Sequence, residues 1–133
     1  MKTIIAILAV VALAGCTTYA TPAEVRSLAP ETKFSFEVDA PYETVYRRIA
    51  ETARACYQAN MLTANQIVNA DIYPESRSGS ISAGMYGIAA QVYWVIDIHS
   101  IDNRTRVDGS VALGKPAPLR DKINAWAIGT PGC

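Results

Sequence analysis

Tyr42, Val45, Tyr46, Ile49, Ala53, Cys56 and Tyr57 recur three and four residues apart, while Arg47, Arg48, Glu51 and Arg54 fall off that line. This spacing predicts one amphipathic helix with a single apolar stripe, fading near Asn60. Asp39 or Ala40 is placed to cap it, with Pro41 in its first turn and Glu43 near its positive end. A helix of this kind is stable only when its stripe is covered, so the rest of the chain must supply an apolar surface. Just before it, Phe34, Phe36 and Val38 alternate with Ser35 and Glu37, the period-two pattern of a strand with one buried face.

The punctuation after the helix is that of a β-meander. Residues 67–73 read as a strand stopped by Pro74, and "PESRSG" turns the chain. A weaker strand over 80–85 runs into "GMYG". The next, "AQVYWVIDIH", is the strongest: Val92, Trp94, Ile96 and Ile98 share one face, and Tyr93, Val95, Asp97 and His99 the other. Asp102-Asn103 turns the chain into a last strand over 105–113, where Gly109 marks a bulge or a close approach. "GKPAP" ends the sheet, and Pro118 starts a helix with Leu119, Ile123, Trp126 and Ala127 on its stripe. The expected fold is α+β: an antiparallel meander of about five strands, two helices on one face, in the order β-α-β-β-β-β-α. One domain over residues 33–133 accommodates it.

Composition sets limits on partners. Lys and Arg balance Asp and Glu at 12 each, giving a formal charge of zero. No basic excess exists to neutralise phosphates, which argues against nucleic acid. The apolar content of 50% is raised by residues 4–14, which carry no charge and follow Lys2. As a helix they would span about 16 Å, half of a ~30 Å hydrocarbon core, so they read as the apolar region of a signal peptide rather than a membrane span.

Leu13-Ala14-Gly15-Cys16 closes that run. These four residues resemble the lipobox of bacterial lipoproteins. The resemblance implies a signal peptide over 1–15, cleavage between Gly15 and Cys16, and lipid on the Cys16 sulfur. It also implies attachment to a membrane of the cell envelope. Thr17, rather than Asp, stands after the cysteine. In a Gram-negative host this implies outer-membrane sorting, with the domain facing the periplasm. Residues 16–32 then form a lipidated cysteine and a flexible tether, since "TTYATPAEVRSLAPET" shows no sustained period.

With Cys16 lipidated, Cys56 and Cys133 are the remaining thiols, a disulfide candidate in an oxidising compartment. A bridge would pin the end of the chain to the first helix and stabilise by roughly 4 kcal/mol in the chain-entropy model. The alternative is a small core residue at 56 and a free terminal thiol.

Candidate chemistry is sparse. His99 is the single histidine, and no serine stands in a G-x-S-x-G context. His99, Asp97 and Asp108 could share a sheet face, where solvated charges are the ordinary outcome. No metal site, cofactor or catalytic residue is expected. "SGSISAGMYG" lacks the lysine of a phosphate loop and reads as a hairpin. Two surfaces stand as functional candidates. An outer sheet face carrying Tyr93 and Val95, with Tyr73 or Tyr86 nearby, is a candidate docking surface for an envelope protein. A cleft between the long helix and the sheet, near Tyr46, Tyr57, Trp94 and Trp126, is a candidate pocket for a small apolar ligand. The expected function is therefore a non-enzymatic envelope lipoprotein serving as an interaction or structural accessory module. The alternative is a small lipid- or metabolite-binding domain.

Overall fold

The computed structural model describes residues 18–133. A short helix α1 (Pro22–Arg26) and a 3-10 turn (Pro30–Thr32) lead into β1 (Lys33–Val38) and α2 (Tyr42–Tyr57). Then come β2 (Ala59–Asn60), β3 (Ala64–Tyr73), β4 (Ser78–Gly87), β5 (Ala90–Ile101), β6 (Arg104–Val111) and α3 (Pro116–Ala127). The fold is α+β, with one antiparallel sheet in the order β1-β6-β5-β4-β3-β2. The sheet has six strands rather than five because Ala59 and Asn60 pair with Gln66 and Asn65. Two exposed residues carry no alternation by which to be recognised.

The stripe on α2 is buried as its spacing predicts: Tyr42, Val45, Ile49, Ala50 and Ala53 face the sheet. Pro41, not Asp39 or Ala40, is the N-cap, and no side chain caps the helix. The first free N–H groups of α2 instead turn back on Pro41, whose carbonyl accepts from Thr44 and Val45. Leu119, Ile123, Trp126 and Ala127 bury the matching face of α3. Together they cover Val68, Ile81, Ala83, Trp94, Ile96, Ile98, Val107 and Val111 on the sheet. The Arg48 guanidinium ties the two helices by donating to the Ala127 carbonyl at 3.2 Å.

Gly109 is a close approach. A Cβ built there would lie 2.1 Å from Cζ of Phe34, whose ring lies across the strand pair formed with β1. The irregularity in the sheet falls elsewhere, between Ala83 and Gly84 on β4. Ala83 opposes Trp94 while Gly84 opposes Val92, so Tyr93 is the extra residue of a β-bulge. Cys56 and Cys133 are joined as a disulfide, with their Cα atoms 5.4 Å apart. Trp126 helps to position that end of the chain, its indole N–H donating to the Gly132 carbonyl at 2.7 Å.

Candidate functional site

The bulge at Tyr93 reorganises the expected docking surface. Perfect alternation places Tyr93 beside Val95 on the outer face; one extra residue breaks that phase. Tyr93 packs against the main core on the helix side, whereas Val95 points outward with Val92. Val95 is also not exposed, at 1%. The pair therefore does not form one surface patch.

Residues 18–32 cover Val95. Thr21 caps α1 and forms a capping box with Glu24, whose carboxylate accepts from the backbone N–H groups of Ala20 and Thr21 at 2.8 Å each. These hydrogen bonds hold the Glu24 carboxyl below its ordinary value. Pro22 supplies a first helical residue that needs no N–H partner. Val25, fully buried, then packs on Val92 and Val95, with Tyr19, Leu28 and Ala112 around them. The Tyr19 carbonyl accepts from the Val92 N–H at 2.7 Å. Arg26 closes the attachment: Nε and one terminal nitrogen fork onto the Asp97 carboxylate at 2.8 Å each, and that nitrogen also donates to Ser80 Oγ at 2.7 Å. The Asp97 hydrogen bonds push the Arg26 guanidinium pKa upward. The segment expected to be a tether is thus a strap lying on the sheet from Tyr19 onward.

Asp97 and Asp108 face each other across β5 and β6, and His99 faces Arg106. The three side chains do share the outer face. Asp97 is held by Arg26 and Asp108 by Arg106 Nε at 3.1 Å, an arrangement of local ion pairs. Among the described residues no group of three or more His, Cys, Asp or Glu side chains comes within reach of one metal ion.

The helix–sheet cleft exists, but at one end of the sheet. A cavity of about 440 Å³ lies between the end of α2, the start of α3 and β5. Tyr57, Tyr93, Trp94, Leu113 and Leu119 form its apolar walls, with Lys115 and Lys122 the charged residues that line it. The volume falls within the ~300–1,000 Å³ range of small-molecule sites. The Tyr57 ring stands edge-on to both Trp94 and Trp126, with centroids 5.4 and 6.4 Å away. Lys122 Nζ lies 5.8 Å from the Tyr57 centroid. Trp94 is buried at 2% exposure, and its indole N–H has no acceptor. Tyr46 stands apart from this cleft, with its ring over Gly79. Burial there raises the Tyr46 pKa. Trp126 is a core residue.

Gly15 and Cys16, with the apolar run before them, lie outside the described residues. Within the described residues no helix is long and apolar enough to cross a membrane. Comparison with known protein families, characterised proteins and solved structures gives no significant match.

Proposed function

We propose that the chain is a non-enzymatic lipoprotein of the cell envelope, anchored by lipid on Cys16 and acting as an interaction or accessory module. In a Gram-negative host, Thr17 favours the outer membrane, with the domain in the periplasm. The observation that carries the reading is the strap. A chain that docks its own entry segment through Tyr19, Val25 and Arg26 is built to hold the domain close to whatever holds residue 16. From Cys16 to Thr18 the backbone reaches at most about 7 Å. The disulfide between Cys56 and Cys133 fits an oxidising compartment.

The surface that best suits a protein partner is the edge of β3. β2 covers that strand only at Asn65 and Gln66, so residues 67–73 form a sheet edge to which an extended segment can add. Ile72 and Tyr73 on this stretch are 40% and 50% exposed. A photo-crosslinking residue placed at Ile72 or Tyr73 in growing cells is expected to trap one defined envelope protein. Diffuse adducts, or none, would remove the interaction reading.

The cleft favours a second reading, a carrier for a small amphiphile. Its apolar walls and its two lysines suit an organic anion with an apolar body. Dodecanoate is expected to shift the tryptophan emission saturably, and dodecylammonium is not. Equal responses to both, or none to either, would exclude this reading.

A further inference from the structure

We infer that the end of the sheet where the chain enters is a seating surface that rests on the lipid bilayer itself. Four segments meet there. Ala64 pairs with Gly87, which sets the turn before β3 beside the turn between β4 and β5. The Tyr19 carbonyl bonds to Val92 just past that second turn. The Leu113 N–H donates to the Tyr93 carbonyl and so brings the segment after β6 to the same end. Each turn presents an aliphatic side chain to solvent: Leu62 and Ile88 fully, Leu113 at 62%, and Met61 at 48%.

Single exposed aliphatics are ordinary on protein surfaces. Ile72, Tyr73 and Ile101 toward the opposite end, and Ile128 after α3, are exposed as well, but only Leu62 and Ile88 stand fully in solvent, and both tip turns at the end where the chain enters. Residues 58–66, 86–93 and 111–119 contain no carboxylate and one charge, Lys115. The other charges toward this end are Glu24 of the strap, whose carboxylate is taken up by the Ala20 and Thr21 N–H groups, and Glu31 and Lys33 at the start of β1. The opposite end is densely charged, with Glu37, Asp39, Glu43, Glu75, Arg77, Asp102 and Arg104 in or beside its turns. Apolar tips poor in charge suit a protein interface or a membrane equally; the entry of the chain at this end, beside the expected lipid, is what favours the bilayer. An interfacial membrane contact needs aliphatic tips whose own turns hold no carboxylate to desolvate, and a cation for anionic headgroups. The chain also enters the domain at this end, at Thr18, close to the expected lipid on Cys16.

This inference rests on the lipoprotein reading only for the nearness of a bilayer, and the two can fail separately. The test uses the full-length gene product, purified from membranes and mixed with phosphatidylethanolamine–phosphatidylglycerol vesicles. Nitroxide labels are placed on Ile88→Cys, Leu62→Cys or, at the far end, Asp102→Cys. The ratio of oxygen to nickel-chelate accessibility is expected to rise several-fold at 88 and 62 over that at 102, and only with vesicles present. Leu62→Ser combined with Ile88→Ser, on exposed turns that leave melting unchanged, is expected to return a label on Leu113→Cys to aqueous accessibility. Protein that floats with vesicles while 88 and 62 read as aqueous overturns the seating surface and leaves the anchor standing. Protein that fails to float overturns the anchor, and the same labels with excess vesicles still decide the seating surface. Shielding at 88 already present without vesicles assigns the end to a second copy or to the apolar run over 4–14, and overturns the lipid assignment.

Discussion

Arg26→Ala cuts the strap at its strongest point. The substitution removes two charge-assisted bonds to Asp97 and one to Ser80, all between 2.7 and 2.8 Å. With side-chain exposures of 39% and 24%, the pair lies between a solvated surface bridge and a buried one. Exposed pairs contribute up to ~1 kcal/mol, and breaking buried ones costs roughly 3–5 kcal/mol. A loss of about 1–2 kcal/mol follows, since Asp97 is left facing Asp108 with water to solvate it. Because the strap makes its own contacts on the outer face, that loss should appear as local opening. It corresponds to a roughly 5–30-fold rise in the open population. Native-state hydrogen exchange reads this at the Val92 amide, which bonds to Tyr19, with Ile96 and Ile98 as internal controls. A cycle with Asp97→Asn should recover a coupling of about 1–2 kcal/mol. Unchanged protection at Val92, or an equal loss at all three amides, would refute a separately docked strap.

Three further outcomes follow from the same contacts. Replacing Cys56 and Cys133 together by serine should cost roughly 4 kcal/mol in urea unfolding, and thiol titration of the denatured, unreduced parent should find neither thiol free. Gly109→Ala should lower stability by about 1–3 kcal/mol, because its Cβ would enter the Phe34 ring, and Phe34→Leu in the same chain should relieve part of that loss. Acid should loosen the strap through Glu24: its carboxyl is lowered in the folded state, so its contribution is complete above the ordinary carboxylate value and disappears as pH falls through the lowered one. Exchange at Val92 should therefore quicken over that interval, and Glu24→Gln should flatten the dependence.

The fold was legible wherever apolar periodicity ran long enough to be read. The α2 stripe, the alternation at Trp94, Ile96 and Ile98, and the unusual glycine at 109 each correspond to a buried face or a close approach. Cys56 and Cys133 were legible as a pair because chain position, and the oxidising compartment that the lipobox resemblance implies, both pointed to a bridge. Two features escaped. A single inserted residue at Tyr93 exchanges the faces of everything before it, and no local composition announces a bulge of that kind. The strap has one fully buried apolar residue, Val25, so no period exists to detect. Its usable signal was chemical: Thr21 followed three residues later by Glu24, with Pro22 between them, is the signature of a capped helix start. Arg26 and Asp97 lie 71 residues apart, and their pairing depends on tertiary structure alone.

The proposed anchor is tested most directly by the mass of the N-terminal tryptic peptide from protein purified out of its own membranes. The peptide is expected to begin at Cys16, to end at Arg26, and to carry a diacylglyceryl group on the Cys16 sulfur. A peptide that reads through Gly15, or one that begins elsewhere with an unmodified cysteine, would contradict a lipid-anchored domain strapped beside its membrane.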